Sequence, residues 1–278
     1  MLDRLLDCGR APDGMWRVGV SPSGSVTFPG TSLNDNWGYL SSAYVAYALS
    51  RPAGDSRRAR YLAEARRALS NVTAYREAPW EDGSPDGYAD TLEGTLYLLQ
   101  VFDDREAALW VDDQIAVMFA YQRPDGFVER RYLDGNFVRT SLLYGFFRTA
   151  GTWLEPFSPD ARLGVQRTPD GGVVIVLAGD SPWSGNVRFD TPRHAEHLRL
   201  PFDYPRLNGW PEWFVAEEGE SYAVSDLNQG TRRLVSGHEL RRGLPLTITP
   251  GESLRLKVVP ARMVDTRETA PLAASRRR

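Results

Sequence analysis

Asp90 and Glu93 lie one helical turn apart in Tyr88-Ala-Asp-Thr-Leu-Glu-Gly-Thr-Leu96, a run otherwise made of apolar and small residues. Their spacing places both carboxyls on one face of a helix. An unpartnered carboxylate in such surroundings is costly, and its hold on a proton rises toward the range useful for acid or base work. Arg139 follows Phe137 by the same interval at which Asp90 follows Tyr88. A guanidinium there either bridges to Asp90 across neighbouring helices or grips the carboxylate of a ligand. Asp35, Asp86 and Asp134 stand at the starts of the same helices, where acids serve as caps and favour the positive end of the helix dipole, or line a binding rim. Trp37, Tyr39, Tyr88 and Tyr144 supply flat faces or a phenol base, or else they pack in the core. The predicted catalytic set is Asp90, Glu93 and Tyr88. The predicted binding set is Asp35, Trp37, Asp86, Asn136 and Arg139.

These residues need elements to hold them, and the sequence repeats itself where the elements begin. Pro-Asp-Gly recurs at 12–14, 85–87 and 124–126, and Trp37, Tyr88 and Phe137 each open an apolar run after Asp, Asn or Gly. The aromatic markers recur at roughly 50 residues, the length of two helices of four or five turns with their loops. A hairpin of two helices cannot bury its apolar face alone, so such repeats stack on neighbours. The runs 36–51, 87–102 and 136–150 are apolar on most sides and read as inner helices. In 55–76, Arg57, Arg58, Arg60, Glu64, Arg66 and Arg67 oppose a stripe of Tyr61, Leu62, Ala65, Leu69 and Val72. In 104–122 the inward residues are Ala108, Val111, Ile115, Met118 and Phe119, so inner and outer helices alternate. Residues 1–9 read as the end of a further helix stopped by Gly9, as if the chain began within a hairpin.

After Trp153 the pattern changes. Glu155-Pro-Phe-Ser-Pro159 breaks the helices, and short β-prone runs follow at 173–177, 187–189, 213–215, 222–224, 244–248 and 254–259. Asp170-Gly-Gly172 is a hairpin turn between Val165-Gln-Arg and Val173-Val-Ile, and 246–258 alternates around Pro250-Gly251. The predicted architecture is α+β with two domains, helical hairpins over 1–154 and an antiparallel β-sandwich over 155–262, and a disordered tail over 263–278.

Composition narrows the functions. The chain has 278 residues, with 33 basic and 36 acidic side chains leaving a formal charge of −3, which disfavours a broad nucleic-acid or anionic-membrane surface. The single cysteine excludes an intrachain disulfide and a cysteine-based zinc site, and leaves the compartment open. There is no apolar run long enough to span a membrane and no signal-peptide pattern at the start. His194-Ala-Glu-His197 follows Pro192 and lacks the helical His-Glu-x-x-His form, so no metal is expected there. No phosphate loop and no Gly-x-Ser-x-Gly elbow occurs, and no cofactor is expected. The aromatic-rich run 202–214 reads as a loop packed on the helical domain, with a carbohydrate-binding surface as the alternative.

Repeated hairpins, an apolar inner layer with aromatic and acidic residues at its helix starts, and a trailing β-sandwich together resemble the (α/α) toroid enzymes that act on carbohydrates. That group includes unsaturated glucuronyl hydrolases and heparinase-type polysaccharide lyases. The resemblance spans roughly residues 1 to 262 and is architectural. It implies a partial toroid, with a second chain or a missing N-terminal half completing the ring, and a carbohydrate as the partner. It implies hydrolysis of an acidic poly- or oligosaccharide by two carboxyls on either side of the scissile bond. Elimination by a tyrosine base such as Tyr88, and glycan binding or scaffolding without turnover, are the alternatives.

Overall fold

The computed structural model describes residues 1–11, 14–16, 19–25, 27, 36–75, 85–128 and 135–263. Asp35, Asp134 and the predicted tail over 264–278 lie outside these described residues. Among the described residues the chain forms eight α-helices and two antiparallel sheets, a mixed α+β organisation. None of these helices is long and apolar enough to cross a membrane. The chain divides into two compact units, one of Met1–Gly145 with Leu200–Pro211, the other of Phe146–Arg199 with Glu212 onward. The division therefore falls earlier than residue 154, and the segment 200–211 belongs with the helices.

The helical unit holds α1 (Leu2–Cys8), α2 (Trp37–Leu49), α3 (Ser56–Asn71), α4 (Pro85–Val101), α5 (Arg105–Ala120) and the start of α6 (Asn136–Thr149), which runs past the unit's last residue, Gly145. The outer helices carry the side-chain caps. Asp55 accepts from the Arg57 amide at 2.8 Å at the start of α3, and Asp104 from the Ala107 amide at 3.0 Å at the start of α5. Asp104 also accepts from the Ser70 hydroxyl at 3.0 Å, so one carboxylate starts α5 and fastens the end of α3. Helix α4 is the centre of this unit, with every residue from Thr91 to Leu99 buried. Each fully buried leucine among them contributes about 1.5–3 kcal/mol relative to exposure. Its carbonyls take up buried hydroxyls: Thr95 donates to the Thr91 carbonyl at 2.8 Å one turn back, and Thr140 of α6 donates across to the Ala89 carbonyl at 3.0 Å.

The predicted burial of α6 is only partly met. Phe137, Thr140 and Leu143 are buried, whereas Val138 and Leu142 are 60% and 52% exposed, because α6 turns a single face to α4 and α5. In α5, Phe119 is also exposed, resting edge-on against Phe137 at 5.4 Å, and Trp110 and Gln114 fill the inward stripe in its place. The Pro-Asp-Gly repeats differ in their described residues. At Gly14 and Gly126 the backbone is left-handed, with the Gly14 amide bonded to the Ala11 carbonyl and the Gly126 amide to the Arg123 carbonyl. Pro85-Asp86-Gly87 instead forms the first turn of α4, where a proline lacking its N–H is tolerated.

The other unit has a five-stranded sheet ordered β2 (Ala161–Arg167), β3 (Val173–Gly179), β8 (Ser253–Pro260), β5 (Ser221–Asp226), β6 (Thr231–Ser236). A three-stranded sheet is ordered β1 (Trp153–Glu155), β4 (Trp183–Arg188), β7 (Leu244–Ile248). Alternation sets the register of the β2–β3 hairpin, which opposes Val165 to Ile175 and buries Val173, Ile175 and Leu177 on one face. Gly171 at φ +75° makes the predicted turn. Pro250-Gly251 carries the chain from β7 in one sheet to β8 in the other. The segment 213–215 is not a strand but makes a single parallel bridge, Val215 with Asp190. Strand β6 escaped prediction because four of its six residues are exposed. Between the strands lie two short helices, α7 (Arg193–Glu196) and α8 (Gly237–Arg242), the latter started by a Ser236/Glu239 capping box.

Candidate functional site

The site begins with two glycines. Gly38 on α2 and Gly94 on α4 face each other, and a Cβ on Gly94 would stand 2.7 Å from the Gly38 Cα, closer than real side chains approach. With no side chain on either, the helix backbones come close enough for the next residue of α2, Tyr39, to reach the acids of α4. The Tyr39 hydroxyl lies 2.6 Å from Glu93 Oε2 and 3.1 Å from Asp90 Oδ1. A phenol has one proton to donate, and the shorter distance gives it to Glu93.

Glu93 is fully buried and also accepts from the Tyr97 hydroxyl, one turn along α4, and from Arg139 Nη2 of α6. The same Nη2 stands 3.6 Å from Asp90 Oδ1. Arg139 Nη1 donates to Asn208 Oδ1 at 2.6 Å, and among the described residues its buried Nε has no acceptor. The side chains of Asp90 and Arg139 keep 16% and 23% of their exposure, so they are the accessible edge of an ion-pair network whose base is Glu93.

The network alters its own titration. Burial, followed by the charge of Glu93, pushes the Tyr39 hydroxyl far above the ordinary tyrosine range, and burial with the Glu93 hydrogen bond does the same to Tyr97. Burial alone would lower the proton affinity of Arg139. The charge of Glu93, with its hydrogen bond, more than offsets it, and the guanidinium is held charged.

Asp90, Glu93 and Arg139 of the predicted set therefore meet in one place. The other described members of the set, Trp37, Asp86, Tyr88 and Asn136, lie elsewhere. Trp37 is 0% exposed, which corrects its expected place on a binding surface: its indole is core. Tyr88 is 8% exposed and packs on Tyr121 at 6.2 Å, and its hydroxyl is pushed above the ordinary range by burial, the wrong direction for a base. Asp86 is not a cap in the expected sense. It lies inside the first turn of α4 and accepts from Asn136 Nδ2 at 2.6 Å, so these two predicted binding residues hold each other. Tyr144 donates to Asp112 at 2.9 Å. Sequence reasoning missed Tyr97 and Asn208. Tyr97 had a signal, its i+4 spacing from Glu93, and Asn208 had only the turn-forming pair Asn208-Gly209. In the sheet unit His194 accepts or donates through Nδ1 at 2.8 Å from Glu212, and His197 is exposed, so the two histidines do not form a helical zinc motif.

No family profile matches the chain, and no curated protein matches it. Among solved structures, alpha-galactosidase I from Mortierella vinacea aligns at 11% identity and a TM-score of 0.23, covering 69% of this chain and 44% of that one. The chain thus spans less than half the length of that structure. A likeness of this size fixes neither fold nor activity.

Proposed function

We propose that this is a carbohydrate-active protein whose helical unit is an arc of an (α/α) toroid accompanied by a β-sandwich, hydrolysing an acidic oligo- or polysaccharide at the Asp90–Arg139 edge. The observation that carries this reading is a half-buried carboxyl and a half-buried guanidinium 3.6 Å apart, the guanidinium held by a fully buried glutamate and the carboxyl beside the Tyr39 hydroxyl that the same glutamate binds. Rigidly supported polar groups at an accessible edge are what preorganised binding requires. Asp90 is the acid in this reading. Arg139 binds the sugar carboxylate, and Asp90 delivers the proton to the leaving group. Glu93 acts through Arg139 and Tyr39 as a positioning residue.

Hydrolysis is favoured over elimination because burial raises the hydroxyls of both Tyr39 and Tyr88 away from the range of a base. The complete burial of Glu93 supports a second reading, glycan binding without turnover. Incubation with a panel of uronate-containing glycans separates the three. New reducing ends that disappear in Asp90→Asn support hydrolysis, an ultraviolet-absorbing unsaturated product supports elimination, and retention without product supports binding. Hydrolysis that survives Asp90→Asn sinks the assignment of the acid.

A further inference from the structure

The segment 200–211 leaves the sheet unit after Arg199, joins the helical unit, and returns at Glu212. It has no regular secondary structure and stays in place by side-chain bonds: Asp203 accepts from Gln100 of α4, Arg206 donates to Asp203 at 3.1 Å, and Asn208 accepts from Arg139 at 2.6 Å. The seam between Tyr97, Gln100, Tyr204, Arg206 and Trp210 is packed too tightly to hold a water molecule. Asn208 holds its position from a left-handed backbone, φ +56°, with its side chain reaching to Nη1 of Arg139, whereas the ion pairs to Glu93 and Asp90 run through Nη2.

We propose that 200–211 is a strap over the helical site, and that Asn208 Oδ1 occupies the place on Arg139 taken by a carboxylate oxygen of an acidic sugar, so that ligand and strap compete. The inference rests on the acidic-saccharide reading above and adds the residue that sets its selectivity. Three features of Arg139 support it. Nη2 is engaged by Glu93 and stands near Asp90, Nη1 is capped by a neutral amide oxygen, and the buried Nε lacks an acceptor among the described residues. A carboxylate is a stronger acceptor for a guanidinium than an amide oxygen and has a second oxygen to offer. The strap, with Leu207 56% exposed and no strand or helix to unzip, is an element that opens at small cost.

The test uses the full chain, with glucuronate and galacturonate as probes and methyl glucoside as the neutral control. Asn208→Gly removes the amide oxygen without disturbing a left-handed backbone. Its expected effects are exchange of the 204–211 amides faster by roughly tenfold, the loss of one charge-assisted hydrogen bond, with α2 and α4 unchanged, and uronate affinity higher by a similar factor. Asn208→Asp fills the same place with a charge and is expected to weaken uronate binding while leaving methyl glucoside unaffected. Unchanged exchange in Asn208→Gly, or uronate affinity no higher than wild type, overturns the strap. If wild type cleaves or binds uronate glycans while Asn208→Gly is no tighter, the strap alone fails. If neither protein binds any acidic sugar, the acidic-saccharide reading fails and takes the competition with it.

Discussion

Gly38 and Gly94 stand backbone against backbone, and this contact sets the distance at which Tyr39 reaches Glu93. Alanine at Gly94 gains intrinsic helix propensity but forces two backbones apart that have no flexible group to yield. We expect Gly94→Ala to destabilise the helical unit by roughly 1–3 kcal/mol despite that gain, read from urea unfolding. Tyr39→Phe should be less costly in the Gly94→Ala background than in wild type, because the spread helices have already weakened its bond. Additive costs would show that the glycine contact and the tyrosine act independently.

Glu93 is the buried member of an ion pair, and removing one partner leaves the other without compensation. Glu93→Leu should cost on the order of 3 kcal/mol. The double change Glu93→Leu with Arg139→Met removes both charges and should recover a clear part of that loss, since apolar replacements of a buried pair are often nearly neutral. A double variant less stable than Glu93→Leu alone would mean that Arg139 contributes to the fold mainly through Asp90 or Asn208.

Tyr39 and Tyr97 have raised proton affinities in the folded chain, through burial first and Glu93 second. A raised folded value means the native state holds the proton more tightly than the unfolded one. Their contribution is whole below the unfolded tyrosine value of about 10 and drains away as pH climbs above it. Unfolding midpoints should therefore fall steeply on the alkaline side of about pH 10, and the fall should be shallower in Tyr39→Phe. Equal slopes for the two proteins would remove Tyr39 from the account.

The sheet unit has an acid-side counterpart. Hydrogen bonds from Lys257 first and Thr168 second hold the Asp170 carboxyl below its usual range at the β2–β3 turn. A lowered value gives stability that is present above the unfolded aspartate value of about 4 and lost as pH falls below it. The group is one-third exposed, so the effect is modest, at most about 1 kcal/mol. Asp170→Asn should lower the midpoint near neutrality and narrow the gap to wild type near pH 3. A gap that is constant with pH would point to the turn geometry in place of the charge.

Local rules made much of this chain readable. The charged and apolar faces of α3 are separated in the sequence, and the stripe names three of its four buried residues, Tyr61, Ala65 and Leu69; Ala68 is the fourth, and Leu62 of the stripe stays partly exposed. The β2–β3 turn was equally plain, since Asp-Gly-Gly between alternating runs leaves few conformations open. Strand β6 was hidden because its residues are mostly exposed, and pairing with β5 alone makes it a strand. The Pro-Asp-Gly repeats mark a limit of the same kind: the tripeptide ends in a left-handed glycine before Phe127 but opens a helix before Tyr88.

For the site, sequence determined that Asp90 and Glu93 share a face of an apolar helix and that Arg139 occupies the corresponding place on α6, because a period of 3.6 residues is a local property. Only the tertiary structure decided which acid is sealed and which is open. That distinction depends on how closely α2 approaches α4 across two glycines, and on Asn208, which arrives from a segment distant in the chain. Contacts between residues remote in sequence leave no periodic trace, so the roles of Glu93 as base of the network and Asn208 as its cover emerge from packing alone.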